Sequence, residues 1–193
     1  RALQRLKAQR GFEDHHELLR EVKPEFVSIC PRYADQHAAM IVDCAAAGVK
    51  GIYVEKPFCR TPAEADRVRE VCRNHGTRVA VAHRNRYNPA LQHIATHVAE
   101  GGIGKLLEIR GRGKGDRRGG AEDLWVLGSH VMDMIRFFAG DPVNCSAEML
   151  KDGKPVTAED IYEGAEGLGP LAGDELHARF RMANGVMATF DSI

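Results

Sequence analysis

The chain has 193 residues, and its 27 lysine and arginine side chains balance 27 aspartate and glutamate side chains. This balance gives no basic surface of the kind that binds nucleic acid, and no apolar run approaches the length of a membrane-spanning helix. The five scattered cysteines form no C-x-x-C pair, so neither a zinc site nor a disulfide framework is indicated. We expect a cytoplasmic protein with reduced thiols that binds neither nucleic acid nor membrane.

The length suits one large domain, or one and a half smaller ones. The sequence begins with Arg1 rather than methionine and ends directly after a predicted strand. We interpret it as a fragment of a longer protein, in which an upstream export signal is an alternative to a cytoplasmic location.

The first 86 residues alternate between short apolar runs and amphipathic helical stretches. Short continuous apolar runs bounded by turn residues are typical of buried parallel strands. Three such runs predict strands: 25–30, 51–55 and 79–83. Strand, helix and strand at this spacing predict a parallel sheet with right-handed crossovers. This pattern is typical of the second half of a doubly wound, dinucleotide-binding α/β domain.

Two helices are predicted between these strands, and one before them. Asp35 is placed to cap the first, which ends near residue 47, directly before Gly48. Thr61-Pro62-Ala63-Glu64 forms a capping box for the second, which ends near Gly76. The stretch before the first strand, residues 1–21, is predicted to be helical and polar, with Gly11 separating two short segments and with these apolar positions: Leu3, Leu6, Leu18 and Leu19.

After residue 86 the pattern becomes that of an α+β domain. Helices are predicted at 90–100 and 129–138, and Asn184-Gly185 predicts a hairpin turn. The stretch 111–123 is basic and glycine-rich, which favours a mobile or substrate-facing loop. Strands are predicted at 105–110, 143–150, 174–182 and 186–191. We therefore predict a partial Rossmann domain over 1–86 and an incomplete α/β domain with a mainly antiparallel sheet over 87–193.

The chain contains no G-x-G-x-x-G between a first strand and a helix. Gly111-Arg-Gly-Lys-Gly115 is glycine-rich, but it follows a later strand and no helix begins at once. We therefore reject it as a phosphate-binding loop.

The stretch Glu55-Lys56-Pro57 directly follows the second strand. In open α/β sheets the ligand crevice lies outside the carboxyl ends of the strands, so this is where chemistry is expected. A lysine there can donate a proton or polarise a carbonyl. Pro57 restricts the backbone of Lys56, and the bond between them can be cis or trans. The alternative is an ordinary ion pair at a strand end.

His130 and Asp133 lie three residues apart on one predicted helix, so they share a face. An imidazole that titrates near neutral pH can accept the proton of a hydroxyl group. The alternative for His130 is a histidine at a helix start that local carbonyl groups satisfy. Trp125 is placed to stack on a sugar ring, or to pack in the core.

Together these motifs resemble the Gfo/Idh/MocA family of nicotinamide-dependent oxidoreductases, over essentially the whole chain. Each motif is weak alone, but their order and spacing are specific. The resemblance rests on these residues: Pro31 with His37, Glu55-Lys56-Pro57, Arg86-Tyr87-Asn88-Pro89, Gly101 to Gly104, and Gly128-Ser129-His130-x-x-Asp133.

The resemblance implies an oxidoreductase that uses NAD or NADP to act on a sugar, cyclitol or related polyol. It also implies a C-terminal domain that binds substrate and forms a homo-oligomer, either a dimer or a tetramer. Lys56 and His130 match the catalytic lysine and histidine. Arg86 either orients substrate or braces the domain junction. The implied cofactor contacts are Pro31, Arg32, His37, Glu55, Lys56 and Pro57, and the implied substrate contacts are Arg86, Trp125 and Asp133.

One residue departs from the family pattern. Many members carry an aspartate four residues before the histidine, where this chain has Val126. Valine can neither transfer a proton nor accept a hydrogen bond. Either Lys56 and His130 suffice, or Glu122 or Asp123 substitutes, or dehydrogenase turnover is lost. The loss would leave a cofactor-retaining lyase or glycosidase, or a nucleotide-binding regulator, as the alternative functions.

Overall fold

A computed structural model describes Arg5 and residues 7–193. It divides into two compact units, Arg1–Val81 and Ala82–Ile193. The predicted boundary after residue 86 lies a few residues further along the chain. Among the described residues, no helix combines the length and the apolar character that crossing a membrane requires.

The first unit is built around a parallel sheet with strand order β1-β2-β3. Phe26 of the first strand pairs with Gly51 of the second, which pairs with Arg78 of the third. The structure therefore confirms the predicted parallel sheet and its strands. The elements of the unit are α1 (His15–Val22), β1 (Phe26–Ile29), α2 (His37–Ala46), β2 (Gly51–Val54), α3 (Pro62–His75) and β3 (Arg78–Val81).

One face of this sheet forms the core of the unit. Side chains alternate along each strand, so every second residue faces the helices. Ile29 and Val54 are buried there against Ile41 of α2 and Val68 of α3. This packing fixes the sheet edge from which the predicted site residues emerge.

The ends of α3 match the prediction. Thr61 accepts a hydrogen bond from the backbone N–H of Glu64 over 3.1 Å, and Gly76 ends the helix with φ of 69°. The prediction that Asp35 caps α2 is wrong. Asp35 lies inside a 3₁₀ turn, Ala34–Gln36, and α2 begins at His37 with Gln36 at its N-cap. Gly48 follows the end of α2 with φ of 85°, as predicted.

Of the two segments predicted over 1–21, the second is confirmed as a helix from His15 onward. Asp14 caps α1 by accepting a hydrogen bond from the backbone N–H of His16, and Leu19 is buried. Residues 7–14 are not helical, because the local cap starts the helix after Asp14. Leu3 and Leu6 lie outside the described residues.

The second unit is an α+β fold with a mainly antiparallel, five-stranded sheet of order β4-β10-β9-β5-β6. In it β4 and β10 are parallel, and the other neighbours are antiparallel. A separate two-stranded sheet pairs β7 with β8. The elements are α4 (Pro89–Ala99), β4 (Glu108–Arg112), α5 (Ala121–Asp123), α6 (Ser129–Ala139), β5 (Pro142–Lys151), β6 (Lys154–Pro155), β7 (Ile161–Gly164), β8 (Gly169–Ala172), β9 (Glu175–Met182) and β10 (Met187–Ser192).

Helix α6 packs on the sheet of this unit. Ile135 and Ala139 are buried together with Met182 and Ala188 of the sheet. A side chain at Gly111 in β4 would bring its Cβ within 2.5 Å of Val131. Gly111 is therefore a packing residue that lets α6 lie close to the sheet, and this agrees with rejecting the 111–115 stretch as a phosphate loop.

Several boundaries in this unit differ from the predictions. Strand β4 begins at Glu108 rather than 105, because its extent follows its pairing with residues 187–191 of β10. The predicted loop over 111–123 contains the end of β4 and all of α5. The short strands β6, β7 and β8 were not predicted, since their glycine and proline residues are typical of turns.

Candidate active site

The carboxyl ends of β1 and β2 carry the first group of predicted site residues. These two strands are parallel neighbours, so the segments that follow them leave the sheet at one edge. The backbone N–H of Glu55 still donates to the carbonyl of Ile29 over 2.9 Å. Lys56 and Pro57 follow, half-buried and joined by a cis peptide bond.

His37 joins the two segments at this edge. Its side chain is buried, with 1% of the residue exposed. Nδ1 lies 2.7 Å from the carbonyl oxygen of Pro57, and Nε2 lies 2.9 Å from the carbonyl oxygen of Pro31. Because a carbonyl oxygen only accepts, each ring nitrogen that carries a hydrogen donates to its carbonyl. Both ring nitrogens therefore face backbone carbonyls, and the predicted contact of His37 with a cofactor stays a prediction.

The remaining predicted cofactor contacts of the first unit differ in exposure. Arg32 is exposed, whereas Pro31 and Glu55 are half-buried. Arg32 offers a guanidinium, Glu55 offers a carboxylate and Lys56 offers an ammonium group. Such donors and acceptors suit hydroxyl and amide groups.

In the second unit, His130 is the second residue of α6 and is half-buried. The ring of His83 meets it edge to face, with 5.6 Å between ring centroids. Sequence reasoning missed His83 and treated it as the end of a strand. The signal that could have found it is its position directly after the apolar run 79–82.

Arg86 and Asp133 form a two-point ion pair. Arg86 Nε donates to Oδ2 of Asp133 over 3.1 Å, and Nη2 donates to Oδ1 over 2.5 Å. The side chain of Asp133 is 9% exposed and that of Arg86 is 35% exposed. The hydrogen bond to Asp133 raises the pKa of the Arg86 guanidinium above its usual value. The pair joins the 3₁₀ turn Arg84–Tyr87 to α6.

The prediction that His130 and Asp133 share a face of α6 is confirmed, because their partners, His83 and Arg86, lie in one short segment. The predicted substrate contacts of Arg86 and Asp133 stay predictions. In this structure the two side chains bind each other within the second unit.

A π-helical turn, Leu124–Gly128, precedes α6. Such turns occur often at functional sites. Trp125 is half-buried on this turn, and Val126 is buried with 5% exposure. The turn follows α5 directly, and sequence periodicity did not predict it. It aligns the residues before His130 differently from a regular helix.

Asp123 is an unsuitable substitute for the missing aspartate. It is 1% exposed, and its Oδ2 accepts hydrogen bonds from Ser192 Oγ over 2.7 Å and from the Lys114 backbone over 3.1 Å. Ser192 Oγ in turn accepts from the backbone N–H of Gly120 over 3.1 Å. Asp123 therefore holds the loop to the end of β10. Glu122 is half-buried and stays an alternative.

The basic loop offers one engaged and one exposed arginine. Arg118 forms a two-point ion pair with Asp116, which holds the pKa of the Asp116 carboxyl well below its usual range. Arg117 is exposed. Both arginines line a cleft of about 220 Å³ that also contains Glu122 and Tyr162. Asp116 already binds the guanidinium of Arg118, so of these two arginines Arg117 is the more accessible to a ligand.

The first unit has a three-stranded parallel sheet with Glu55 and Lys56 directly after its second strand, as in part of a doubly wound α/β fold. Residues 2–83 match a family model described as the Gfo/Idh/MocA oxidoreductase family with an NAD-binding Rossmann fold. The resemblance inferred from the sequence motifs is thereby confirmed for this segment of the chain.

Curated relatives include levoglucosan dehydrogenase of Pseudarthrobacter phenanthrenivorans, 26% identical over 184 residues, covering 81% of this chain and 46% of the relative. Myo-inositol 2-dehydrogenase of Thermotoga maritima is 24% identical over 170 residues, covering 84% of this chain and 49% of the relative. A solved levoglucosan dehydrogenase in complex with NADH and levoglucosan has a TM-score of 0.76 at 23% identity, covering 98% of this chain and 53% of that one. The chain spans about half the length of the curated relatives it matches.

Proposed function

We propose that the protein is an oxidoreductase that transfers hydride between NAD or NADP and a secondary alcohol or ketone of a sugar, cyclitol or related polyol. The observation that carries this proposal is Lys56 at the carboxyl end of β2, inside the segment that matches the NAD-binding family model. The dehydrogenase names of the curated relatives support the polyol class.

The residues at the β1 and β2 ends fit a nicotinamide nucleotide. Glu55 supplies a carboxylate that can accept from ribose hydroxyls, and Lys56 supplies N–H donors for carbonyl or hydroxyl oxygen. Arg32 adds an exposed positive charge. When bound, the nicotinamide supplies the hydride acceptor or donor. These residues then bind and orient it.

The chain's own residues handle the substrate oxygen and its proton. With a nicotinamide cofactor bound, a carbinol carbon would lose hydride to it, and the His130 imidazole would accept the hydroxyl proton. The Lys56 ammonium would donate a hydrogen bond to a substrate oxygen and stabilise negative charge on it. In the reduction direction, His130 returns the proton. Trp125 provides an aromatic surface for the sugar ring, and Arg117 and Arg86 provide donors for its hydroxyls.

The buried valine at position 126 favours a second candidate, in which the cofactor stays bound and is regenerated. Transient oxidation would acidify a neighbouring C–H and allow elimination or glycosidic cleavage, after which the hydride returns. No net NADH would accumulate. Product analysis without added cofactor separates this lyase or glycosidase activity from dehydrogenase turnover. Cofactor binding without any reaction would instead indicate a regulator.

The test uses the whole protein. NADH and NADPH are titrated separately through energy transfer from tryptophan, and polyols are then screened by nicotinamide absorbance. We expect saturable binding and turnover, and Lys56→Ala is expected to lower turnover about a hundredfold or more while cofactor binding survives. Lys50→Ala is the matched control, because Lys50 is an exposed lysine of the same unit that pairs with Glu25. Near-normal turnover in Lys56→Ala would remove the proposed role.

We further propose that residues 1–86 bind the cofactor and that 87–193 contribute to substrate binding and to a homo-oligomer, a dimer or a tetramer. The open strand faces of the second unit support the last point, since Val143 on β5 is 59% exposed. A cytoplasmic location is proposed on the five free cysteines of the described chain.

A further inference from the structure

A buried histidine connects the two segments that carry the proposed cofactor contacts. We propose that His37 is a positioning residue, which fixes the Lys56-Pro57 turn through the carbonyl of Pro57 and does not contact the cofactor. The expected effect of this residue on turnover rests on the proposed function. Its expected effect on amide hydrogen exchange can be measured without any activity.

The geometry of the ring supports this role. The two contacts, 2.7 Å to Pro57 and 2.9 Å to Pro31, both fall within the normal range of a hydrogen bond. A neutral ring carries one N–H and donates to one carbonyl, and in the proposed role this hydrogen is on Nδ1, which faces Pro57. The two carbonyls belong to the segments after β2 and β1. His37 therefore lies between two loops that are far apart in the sequence, at the sheet edge where both emerge.

Lys56 lies between two fixed points of the backbone. On one side, the N–H of Glu55 donates to the carbonyl of Ile29, which is a sheet bond. On the other side, the carbonyl of Pro57 contacts His37 Nδ1. The Lys56 backbone thus has an anchor before it and an anchor after it, and His37 supplies the second. A catalytic group held in this way keeps its productive geometry, and a misplacement of about 1 Å can cost about a hundredfold in rate.

The position of His37 in the fold explains how it can act as an anchor. It is the first residue of α2, whose residues Ile41 and Ala45 are fully buried in the core of the unit. The imidazole is itself only 1% exposed. The ring is therefore held by the helix, and its two nitrogens are committed to the backbone of the loops.

Two conservative substitutions separate the two contacts. The side-chain amide nitrogen of asparagine falls near the position of Nδ1, and that of glutamine falls near the position of Nε2. His37→Asn therefore keeps a donor for Pro57 and loses the contact with Pro31. His37→Gln places a donor at Pro31 and loses the one for Pro57. If His37 acts through Pro57, His37→Asn should retain more of the wild-type kcat than His37→Gln does.

The kinetic experiment compares both variants in the whole protein with His75→Gln, an exposed histidine at the end of α3. We expect His37→Gln to lower kcat about tenfold or more, and His37→Asn to stay within about threefold of the wild type. The dissociation constant of NADH is expected to change less than threefold in every variant. A direct cofactor contact would instead raise that constant in both variants, and a general folding role would lower kcat equally in both.

The second readout is amide hydrogen exchange of the peptide that covers residues 58–60, measured without cofactor or substrate. Faster exchange in His37→Gln than in His37→Asn and His75→Gln supports the anchor, even if the wild type proves to transfer no hydride. Equal exchange in all variants overturns the proposal. Loss of wild-type turnover with the exchange difference intact would contradict the proposed function alone.

Discussion

The ion pair between Arg86 and Asp133 should contribute measurably to the stability of the second unit. Each of its two charge-assisted hydrogen bonds typically contributes about 1.5–3 kcal/mol, before solvent screening is considered. Asp133 is 9% exposed, but Arg86 is 35% exposed, which reduces the electrostatic part. We therefore expect Arg86→Met to lower the free energy of unfolding by about 3 kcal/mol, because it leaves a nearly buried carboxylate without its cation. We expect a coupling energy between the two sites of about 2 kcal/mol.

A double-mutant cycle with Arg86→Met, Asp133→Ala and the double variant measures this coupling. Urea unfolding is followed through the fluorescence of Trp125, which is the single tryptophan of the chain and lies in the same unit. The matched control is the pair Arg136 and Asp141, whose side chains are 59% and 72% exposed. That exposed pair should couple by less than about 0.5 kcal/mol.

The salt dependence of the coupling provides a second test of the same reasoning. Exposed pairs are screened by salt, whereas a pair with one nearly buried partner is screened much less. The coupling of Arg86 with Asp133 should therefore largely survive at about 0.5 M salt. A coupling energy as small as that of the exposed control pair would refute the argument that this pair braces the turn to α6.

Two further predictions concern groups with shifted pKa values. The hydrogen bonds that His177 donates to the carboxylates of Glu175 and then Asp191 raise the pKa of His177 above its ordinary value of 6.5. The stabilising contribution of His177 is therefore complete below that pH and is lost as pH rises through the raised value. Urea midpoints should fall less over this window in His177→Gln than in the wild type, and an equal fall would exclude the contribution. Burial raises the pKa of the Cys44 and Cys59 thiols to about 11. Both thiols should therefore resist a thiol reagent at about pH 8 until urea unfolds the chain, whereas exposed thiols react at once. Fast labelling of Cys59 in the folded chain would show that its burial is incomplete.

The parallel half of the fold was predictable because its signals are local and repeated. The apolar runs that end at Ile29, Val54 and Val81 match the three strands of the sheet within one or two residues. The cap at Thr61 and the glycine at the end of α3 also have direct physical causes in the sequence. These features depend on neighbouring residues, so the sequence alone contains them.

Features that depend on long-range pairing were not predictable. The extent of β4 follows from its pairing with Met187–Asp191 of β10, which lies far along the chain. Asp35 has the right residue type for a cap, but the 3₁₀ turn places Gln36 at that position instead. The short strands β7 and β8 contain the turn-forming residues Gly164, Gly169 and Pro170 and have no alternating apolar pattern.

The contacts of the candidate site residues were not predictable from the sequence. Motif spacing indicated Lys56, His130 and Asp133 as candidate site residues. It did not indicate that His37 is enclosed between two carbonyls, since a histidine in a sequence carries no sign of what its ring contacts. His83 was missed for the same reason, because its contact with His130 depends on the tertiary fold.

The most direct test of the account is a single turnover of the whole protein with cofactor already bound and one polyol in excess. Nicotinamide absorbance is followed for the wild type, Lys56→Ala and Lys50→Ala. The account predicts a rapid absorbance change in the wild type and in Lys50→Ala, and a rate at least about a hundredfold lower in Lys56→Ala with unchanged cofactor affinity. Equal rates in all three proteins would contradict the central role of Lys56 at the end of β2.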